Sequence, residues 1–356
     1  MSPDAPSTTP RHRTGRRSRR RTAATALAVC ATLTLAACGS DDEPTSDSGA
    51  PAASGAFPVS IATKFGTVEV RSQPKRVVAV GYNDQDFALA LGVTPLGFRQ
   101  FQGADIANRP WAREALGGAK PEVVGETDLG FEKIAALQPD LLLAIYSGIT
   151  DKEHATLSKL APTVGQAPGT VDYGEPWQQQ LKTTGQALGR TTRAAEVQKA
   201  VEAKVAEAKT DGDLAGRSVV LAANTGATFS VFSSSDLRSR FFTDLGMEVP
   251  PAIDELAGRA FYADVSQERL ELLDADLLVI YGDERDLLKN QAFARLKAVR
   301  EGRVIYLDQQ GAISQAVGFS SPLSIPYALE KLRPRIKAAL DGDPTTKVEG
   351  TGKAFD

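Results

Sequence analysis

From residue 131 the polar and apolar positions run Phe131-Glu132-Lys133-Ile134-Ala135-Ala136-Leu137-Gln138-Pro139-Asp140-Leu141-Leu142-Leu143. The same outline returns 136 positions later as Gln267-Glu268-Arg269-Leu270-Glu271-Leu272-Leu273-Asp274-Ala275-Asp276-Leu277-Leu278-Val279. Each copy predicts an amphipathic helix that opens on an acidic residue and breaks at Pro-Asp or Ala-Asp. A short apolar run follows, of the kind that forms a strand buried on both faces. The repeat therefore predicts two related α/β lobes.

The flanking pattern extends both. Residues 57–70 predict a short hairpin or edge strand, and Arg76-Val77-Val78-Ala79-Val80-Gly81 a buried strand closed by a glycine turn. Helical spacing over 84–91, the stop at Gly92 and the run Pro95-Leu96-Gly97-Phe98 complete a strand-helix-strand unit. Segments 151–160 and 176–188 read as helices closing a first lobe, 57–190. Residues 192–209 contain neither Gly nor Pro, and Val197, Val201, Val205 and Ala208 fall on one stripe. About 18 residues at 1.5 Å rise give roughly 27 Å, enough to cross between lobes. This interlobe helix is placed at 191–211, stopped by Asp211-Gly212-Asp213. A second lobe, 212–342, has strands at 217–223, 277–281 and 304–307 and a final helix at 324–340, leaving 343–356 as a flexible tail. The expected fold class is α/β: two lobes with central, mostly parallel sheets flanked by helices and joined by one long helix. Such lobes face their strand ends, and a ligand site, across a crevice.

The first 56 residues do not belong to this pattern. Seven arginines between Arg11 and Arg21 precede an uncharged stretch, Ala23 to Ala37, that is short of the about 20 residues a membrane span requires. Residues 1–37 thus read as a signal peptide, and Leu35-Ala36-Ala37-Cys38-Gly39 resembles a bacterial lipobox, which implies cleavage before Cys38 and lipid on its sulfur. Residues 38–56, rich in Gly, Ser, Asp, Pro and Ala, form the lipid-anchored disordered linker, spanning roughly 20–25 Å. Export by the general or the twin-arginine route is left open. Of 41 Lys and Arg, seven lie in the leader, and of 44 Asp and Glu only Asp4 does, so the remainder carries a net charge of about −9. That excludes nucleic acid as a partner. With Cys30 in the leader and Cys38 reserved for lipid, no disulfide framework or cysteine metal site is available.

Several further segments carry a family resemblance: Pro74-Lys75-Arg76-Val77-Val78-Ala79, Ala90-Leu91-Gly92-Val93, Ala136-Leu137-Gln138-Pro139-Asp140-Leu141-Leu142, Leu160-Ala161-Pro162-Thr163-Val164 and Leu245-Gly246. In order and spacing over residues 57–340 the chain resembles the iron-siderophore substrate-binding proteins of ABC importers, the class with a rigid helix between lobes. The resemblance implies a lipid-anchored, monomeric binding protein on the outer face of the cell membrane, with modest closure, no catalytic residues and no cofactor. Its partners would be a ferric siderophore, a permease and the permease's ATPase. Glu132 and Glu268 would each dock one lobe onto the permease; a first-turn glutamate also complements the helix dipole.

A pocket for a bulky ferric complex needs aromatic walls and a few cationic or amide groups. Candidates past strand ends in the first lobe are Tyr82, Asn83, Arg99 and Tyr146, joined by Trp111 and Arg113 in a loop that also holds Arg109. The second lobe offers Asn224, Arg240, Tyr262 and Tyr281. A trianionic catecholate complex requires converging arginines, for which Arg99, Arg113 and Arg240 are the candidates. The acidic chain favours hydroxamates instead. Haem is the rival ligand, through Tyr82, Tyr146 or Tyr262, and cobalamin a further one. A free Zn or Mn site is disfavoured by a single histidine, His154, beyond the leader. An exported carboxylate-dependent hydrolase is the reading from another class; no Gly-x-Ser-x-Gly elbow or phosphate loop supports an enzyme.

Overall fold

The computed structural model describes residues 57–101, 109–210, 212–226 and 228–349. The leader, Cys38, the linker and residues 350–356 lie outside the described residues.

The chain opens with an antiparallel hairpin, β1 (Val59–Thr63) and β2 (Gly66–Val70). The first lobe follows as β3 (Val77–Ala79), α1 (Asp84–Ala90), β4 (Gly97–Arg99), α2 (Arg113–Leu116) and β5 (Glu122–Gly125). It continues with α3 (Phe131–Ala136), β6 (Leu141–Ala144), α4 (Asp151–Leu157), β7 (Thr163–Gly165) and α5 (Trp177–Ala187). Its sheet is wholly parallel, in the order β5-β4-β3-β6-β7, with the strand order reversing between β3 and β6. Strands β3, β4, β6 and β7 are buried along their whole length, as unalternating apolar runs require.

Helix α6 (Thr191–Thr210) carries the predicted stripe. Val197, Val201 and Ala208 are buried, and Val205 packs against them. The helix rests on α5 of the first lobe and on α13 of the second.

The second lobe is β8 (Val219–Asn224), β9 (Phe229–Phe232), α7 (Leu237–Thr243), α8 (Pro251–Ala257) and β10 (Tyr262–Val265). After a 3₁₀ segment, Gln267–Leu273, come β11 (Leu277–Tyr281), α9 (Glu284–Leu287), α10 (Gln291–Ala294), α11 (Lys297–Arg300) and β12 (Val304–Leu307). The lobe ends with α12 (Ala312–Phe319) and α13 (Ser324–Ala339). Its sheet runs β10-β9-β8-β11-β12; β8, β11 and β12 are parallel, while β9 pairs antiparallel with both neighbours. Here too the order turns at the strand pair that follows the repeat, between β8 and β11.

The repeat has a structural meaning at its aspartates. Asp140 accepts from the amides of Lys75 and Arg76 at 2.8 Å each, holding the start of β3. Asp276 accepts from the Ser218 amide at 2.8 Å and does the same for β8. The helical half diverges. The first copy is α-helical, whereas the second is 3₁₀ with Arg269 off helical geometry (φ −118°, ψ 26°), correcting the expected second amphipathic α-helix. Its buried residues, Leu270 and Leu273, are three apart and suit the three-residue turn.

The lobes are joined through their seam as well as by α6. Asn83 donates to the carbonyl of Phe319 at 2.8 Å, Ser321 Oγ donates to Asp86 at 2.9 Å, and Tyr146, Leu237 and Phe319 form a buried cluster between them. The segment after residue 343 folds back as far as it is described: Val348 packs against the core and Arg335 Nε donates to the Glu349 carbonyl at 3.0 Å.

Candidate functional site

At the β3/β6 turning point the two strand ends are tied by one carboxylate. Asp84, fully buried at the start of α1, accepts from the amides of Gly81, Ile145 and Tyr146 at 3.0, 3.0 and 3.1 Å. Burial outweighs these three donors and pushes its carboxyl up to about 6. A side chain on Gly81 would strike Asp84 at 2.4 Å, so the glycine is what lets the carboxylate reach the strand end. The result delivers Tyr82 and Tyr146 side by side, the Tyr82 amide donating to the Tyr146 carbonyl at 3.0 Å.

Opposite them, the β8/β11 turning point delivers Ala223 and Tyr281, and between the two lies a cleft of about 450 Å³. Its wall is a chain of ring contacts that passes from lobe to lobe. Phe101 meets Phe319 at 5.8 Å and Tyr82 at 5.3 Å, and Tyr82 lies 6.4 Å from Tyr173. Tyr173 then meets Tyr146 at 5.2 Å and Phe261 at 5.6 Å. Gln309, Gln310, Ser314 and Gln315 supply amide and hydroxyl groups along one side.

Among the described residues, one charged side chain lines this cleft. Arg238, in the first turn of α7, stacks its guanidinium 3.6 Å from the Phe232 ring centre and pairs with both oxygens of Asp236 at 2.7 Å. Asp236 is fully buried behind it and also caps α7 through the Arg238 amide. Burial alone would lower the guanidinium's affinity for its proton; the charge and hydrogen bonds of Asp236 reverse that and keep it cationic. Burial pushes the phenols of Tyr146 and Tyr281 well above the ordinary tyrosine range.

Of the residues predicted from sequence, Tyr82, Tyr146 and Tyr281 converge in the cleft. Arg99 stands behind it: its guanidinium lies 4.2 Å from the Tyr82 ring centre and donates to the carbonyls of Glu126 (2.7 Å), Ser147 (3.0 Å) and Thr127. It therefore braces Tyr82 instead of facing a ligand. Asn83 is spent on the Phe319 carbonyl, and Trp111 is buried with its indole N–H on Asp86 at 2.8 Å. Asn224 accepts from the Gly226 amide at 2.9 Å, and Arg240 donates to the Ser235 carbonyl at 3.1 Å beside Trp177; neither lines the cleft. Arg113 is exposed on α2. Tyr262 is 40% exposed against Phe261, just outside the lining. The candidate trio Arg99, Arg113 and Arg240 does not converge. Arg109, which shares the loop of Trp111 and Arg113, is fully buried.

Tyr173, Arg238, Phe319 and the glutamines were not anticipated. Their common signal is position: each follows a strand or lies on a short helix that the periodicity of the sequence did not resolve. Glu132 and Glu268 are both exposed. β5 and β10 run parallel to their sheets' central strands, so α3 and the 3₁₀ segment both begin at the strand-end edge that carries the cleft. A larger hollow of about 710 Å³ lies elsewhere, at the entry to β8 between Leu214, Arg217 and α13. It has no aromatic lining and lies away from both turning points.

The sequence pattern of the family described as periplasmic binding protein matches residues 77–310. A putative ABC transporter substrate-binding lipoprotein of Bacillus subtilis is 26% identical over 272 residues, covering 70% of this chain and 81% of its own. The Fe(3+)-citrate-binding protein YfmC of the same organism is 27% identical, covering 68% of this chain and 76% of its own. Among solved structures, PiaA of Streptococcus pneumoniae in complex with ferrichrome superposes with a TM-score of 0.71 at 27% identity, over 80% of this chain and 99% of its own. A periplasmic solute-binding protein of Mycobacterium smegmatis gives 0.69 at 31% identity, over 79% and 98%.

Proposed function

Because the chain belongs to the periplasmic binding protein family, we propose that it captures a ferric siderophore in the interlobe cleft and passes it to an ABC importer. The observation that carries this reading is an aromatic cleft at the turning points of both sheets, with one cation, already paired, among the described residues of its lining. That PiaA is seen with ferrichrome and YfmC is named for ferric citrate supports iron complexes as the ligand class.

The same lining favours an electrically neutral ferric hydroxamate. Arg238 is balanced by Asp236, and aromatic faces present the negative side of their quadrupoles. A ferric tris-catecholate would bring three negative charges to one committed guanidinium, and each uncompensated charge taken from water costs several kcal/mol. Of the tyrosines open to haem, Tyr146 is buried, which raises its phenol and disfavours ligation as tyrosinate, and Tyr262 lies outside the cleft lining.

Residues 40–356, lacking Cys38, titrated calorimetrically with ferrioxamine, ferric enterobactin and haemin, test this directly. Saturable submicromolar binding of the hydroxamate, at least tenfold tighter than the catecholate, is expected. Binding of haemin alone, with a shifted Soret band, would replace the reading.

Glu132 and Glu268, exposed on the cleft edge of each lobe, are the proposed permease contacts. Glu132→Ala with Glu268→Ala should leave ligand affinity unchanged and abolish cellular uptake; wild-type uptake by the double variant would remove them from this role. Lipid attachment at Cys38 would hold the monomer on the outer face of the membrane. Growth with radiolabelled palmitate should label the wild-type chain and leave Cys38→Ala unlabelled.

A further inference from the structure

Among the described residues, the largest fully buried side chain is a charged one that the cleft chemistry above does not use. Arg109 is 0% exposed, yet two side chains it touches, Gln315 and Phe319, both line the cleft. Its Nε donates to Gln315 Oε1 at 3.3 Å, and its guanidinium carbon lies 4.5 Å from the centre of the Phe319 ring. Asp86 is the nearest counter-charge, but at 3.9 Å from Nη1. That carboxylate is already occupied: Trp111 Nε1 (2.8 Å) and Ser321 Oγ (2.9 Å) donate to one oxygen, and Gln85 Nε2 (3.3 Å) to the other. Nη1 and Nη2 have no hydrogen-bond partner among the described residues.

A guanidinium that served only to neutralise Asp86 would be expected to form a short fork on the carboxylate. This one instead gives its direct hydrogen bond to a cleft amide and its planar face to a cleft ring. Gln315 transmits the constraint, because its Nε2 donates to the carbonyl of Gln310, another lining residue, at 3.2 Å. The path Asp86–Arg109–Gln315–Gln310 thus starts in the first lobe and ends on the cleft wall of the second.

We propose that Arg109 is a positioning residue: from behind the wall it fixes the Gln315 amide and the Phe319 ring in the orientation that a ferric complex meets. This rests on the cleft being the ligand site. Charge alone does not suffice, since lysine would keep the charge but lose the Nε donor and the stacking plane.

Arg109→Lys is expected to weaken ferrioxamine binding about tenfold. Gln315→Leu made in the Arg109→Lys background should add much less than it does alone, the non-additivity expected of groups that act through one another. A merely structural Arg109 would lower the unfolding midpoint, leave affinity within twofold and give multiplicative effects; that pattern overturns the proposal. A second measurement needs neither ligand nor variant. In the wild-type protein the Gln315 side-chain amide should be as ordered as the backbone, with S² near 0.85, and should show a nuclear Overhauser contact to the Arg109 Nε proton. An amide with S² below about 0.6 and no such contact overturns the proposal. Should wild-type protein bind no ferric complex, the siderophore reading falls, and this amide measurement alone decides whether Arg109 positions the wall.

Discussion

Gly148 has a left-handed backbone (φ +57°), and a Cβ there would lie 2.1 Å from Tyr173 Oη and 2.4 Å from its Cζ. Gly148→Ala therefore does two things: it strains the backbone and drives a cleft ring from its seat. The first costs about 1–2 kcal/mol for a residue with a Cβ in the left-handed region. The second disturbs the contacts of Tyr173 with Tyr82, Tyr146 and Phe261, each worth about 0.5–1.5 kcal/mol beyond area burial, of which a ring displaced without being ejected loses part. A further loss of about 1–2 kcal/mol in ligand binding follows, or roughly a tenfold weaker Kd. Gly92 provides the control. Its φ is +76°, but a Cβ there meets nothing within 4 Å, so Gly92→Ala carries the strain without the collision. Urea unfolding should show Gly92→Ala destabilised by the strain alone and Gly148→Ala by the strain plus the lost ring contacts, and calorimetric titration with ferrioxamine should show only Gly148→Ala impaired. Equal affinity in the two variants would refute the placement of Tyr173 in the ligand's path.

Other consequences are open to direct measurement. Burial pushes the carboxyls of Asp84 and Glu175 up to about 6 and about 7, so the folded state holds more protons than the unfolded one between the ordinary carboxylate range and these values. Stability should then fall as pH rises from about 4 and level off above about 6 to 7, by at most about 3 kcal/mol for each group over that whole range, and Asp84→Asn should flatten the lower part of the curve. Urea midpoints between pH 5 and 8 that rise across this window would contradict it. Asp140→Ala and Asp276→Ala each remove an anchor for a strand start and should cost about 1–2 kcal/mol. Lying in different lobes, they should add within about 0.5 kcal/mol in the double variant. Small-angle scattering with and without ligand should show no resolvable change in radius of gyration, because α6 and the polar seam both hold the lobes; a large compaction would refute that.

The sequence was legible where one physical rule governed. Strands β11 and β12 fell at the predicted residues, and α6 within one residue at each end, because an unbroken apolar run or a long stripe free of Gly and Pro admits one reading. Tyr82 and Tyr146 follow such strands and Tyr281 ends one, which is why their place in the cleft lining was legible. Arg99 obeyed the same rule and still stands behind the cleft: a strand-end side chain can turn either way, and here three carbonyls capture it. Arg238 was passed over for Arg240, two residues on in the same helix. What selects Arg238 is Asp236 at the helix cap, a short-range pair that shows its importance only once Phe232 supplies the surface on which the guanidinium lies. The burial of Arg109 was not legible because its contacts with Gln315 and Phe319 lie more than 200 residues away in the chain.

The wall formed by α12 explains how such a cleft could discriminate among ferric complexes without folding around them. Asn83, Asp86 and Arg109 hold this helix and the turn after it from the first lobe, while the Tyr281 hydroxyl donates to the Ser314 carbonyl at 3.4 Å from the second. α12 is therefore held from both lobes, and the aromatic chain from Phe101 through Tyr173 to Phe261 runs from one to the other. A wall tethered in this way gains affinity by sparing part of the ordering cost of binding. If scattering shows the lobes held still, such a wall also gives up a means of selection, since no closure brings a second cation to a more highly charged guest. Selection then falls to shape and to the balance already fixed at Arg238 and Asp236. Between complexes of similar size, the cleft should therefore rank ligands by net charge. Arg238→Gln, which leaves Asp236 without its partner, should shift that ranking further from anions; Asp236→Asn, which frees the guanidinium, should shift it toward them.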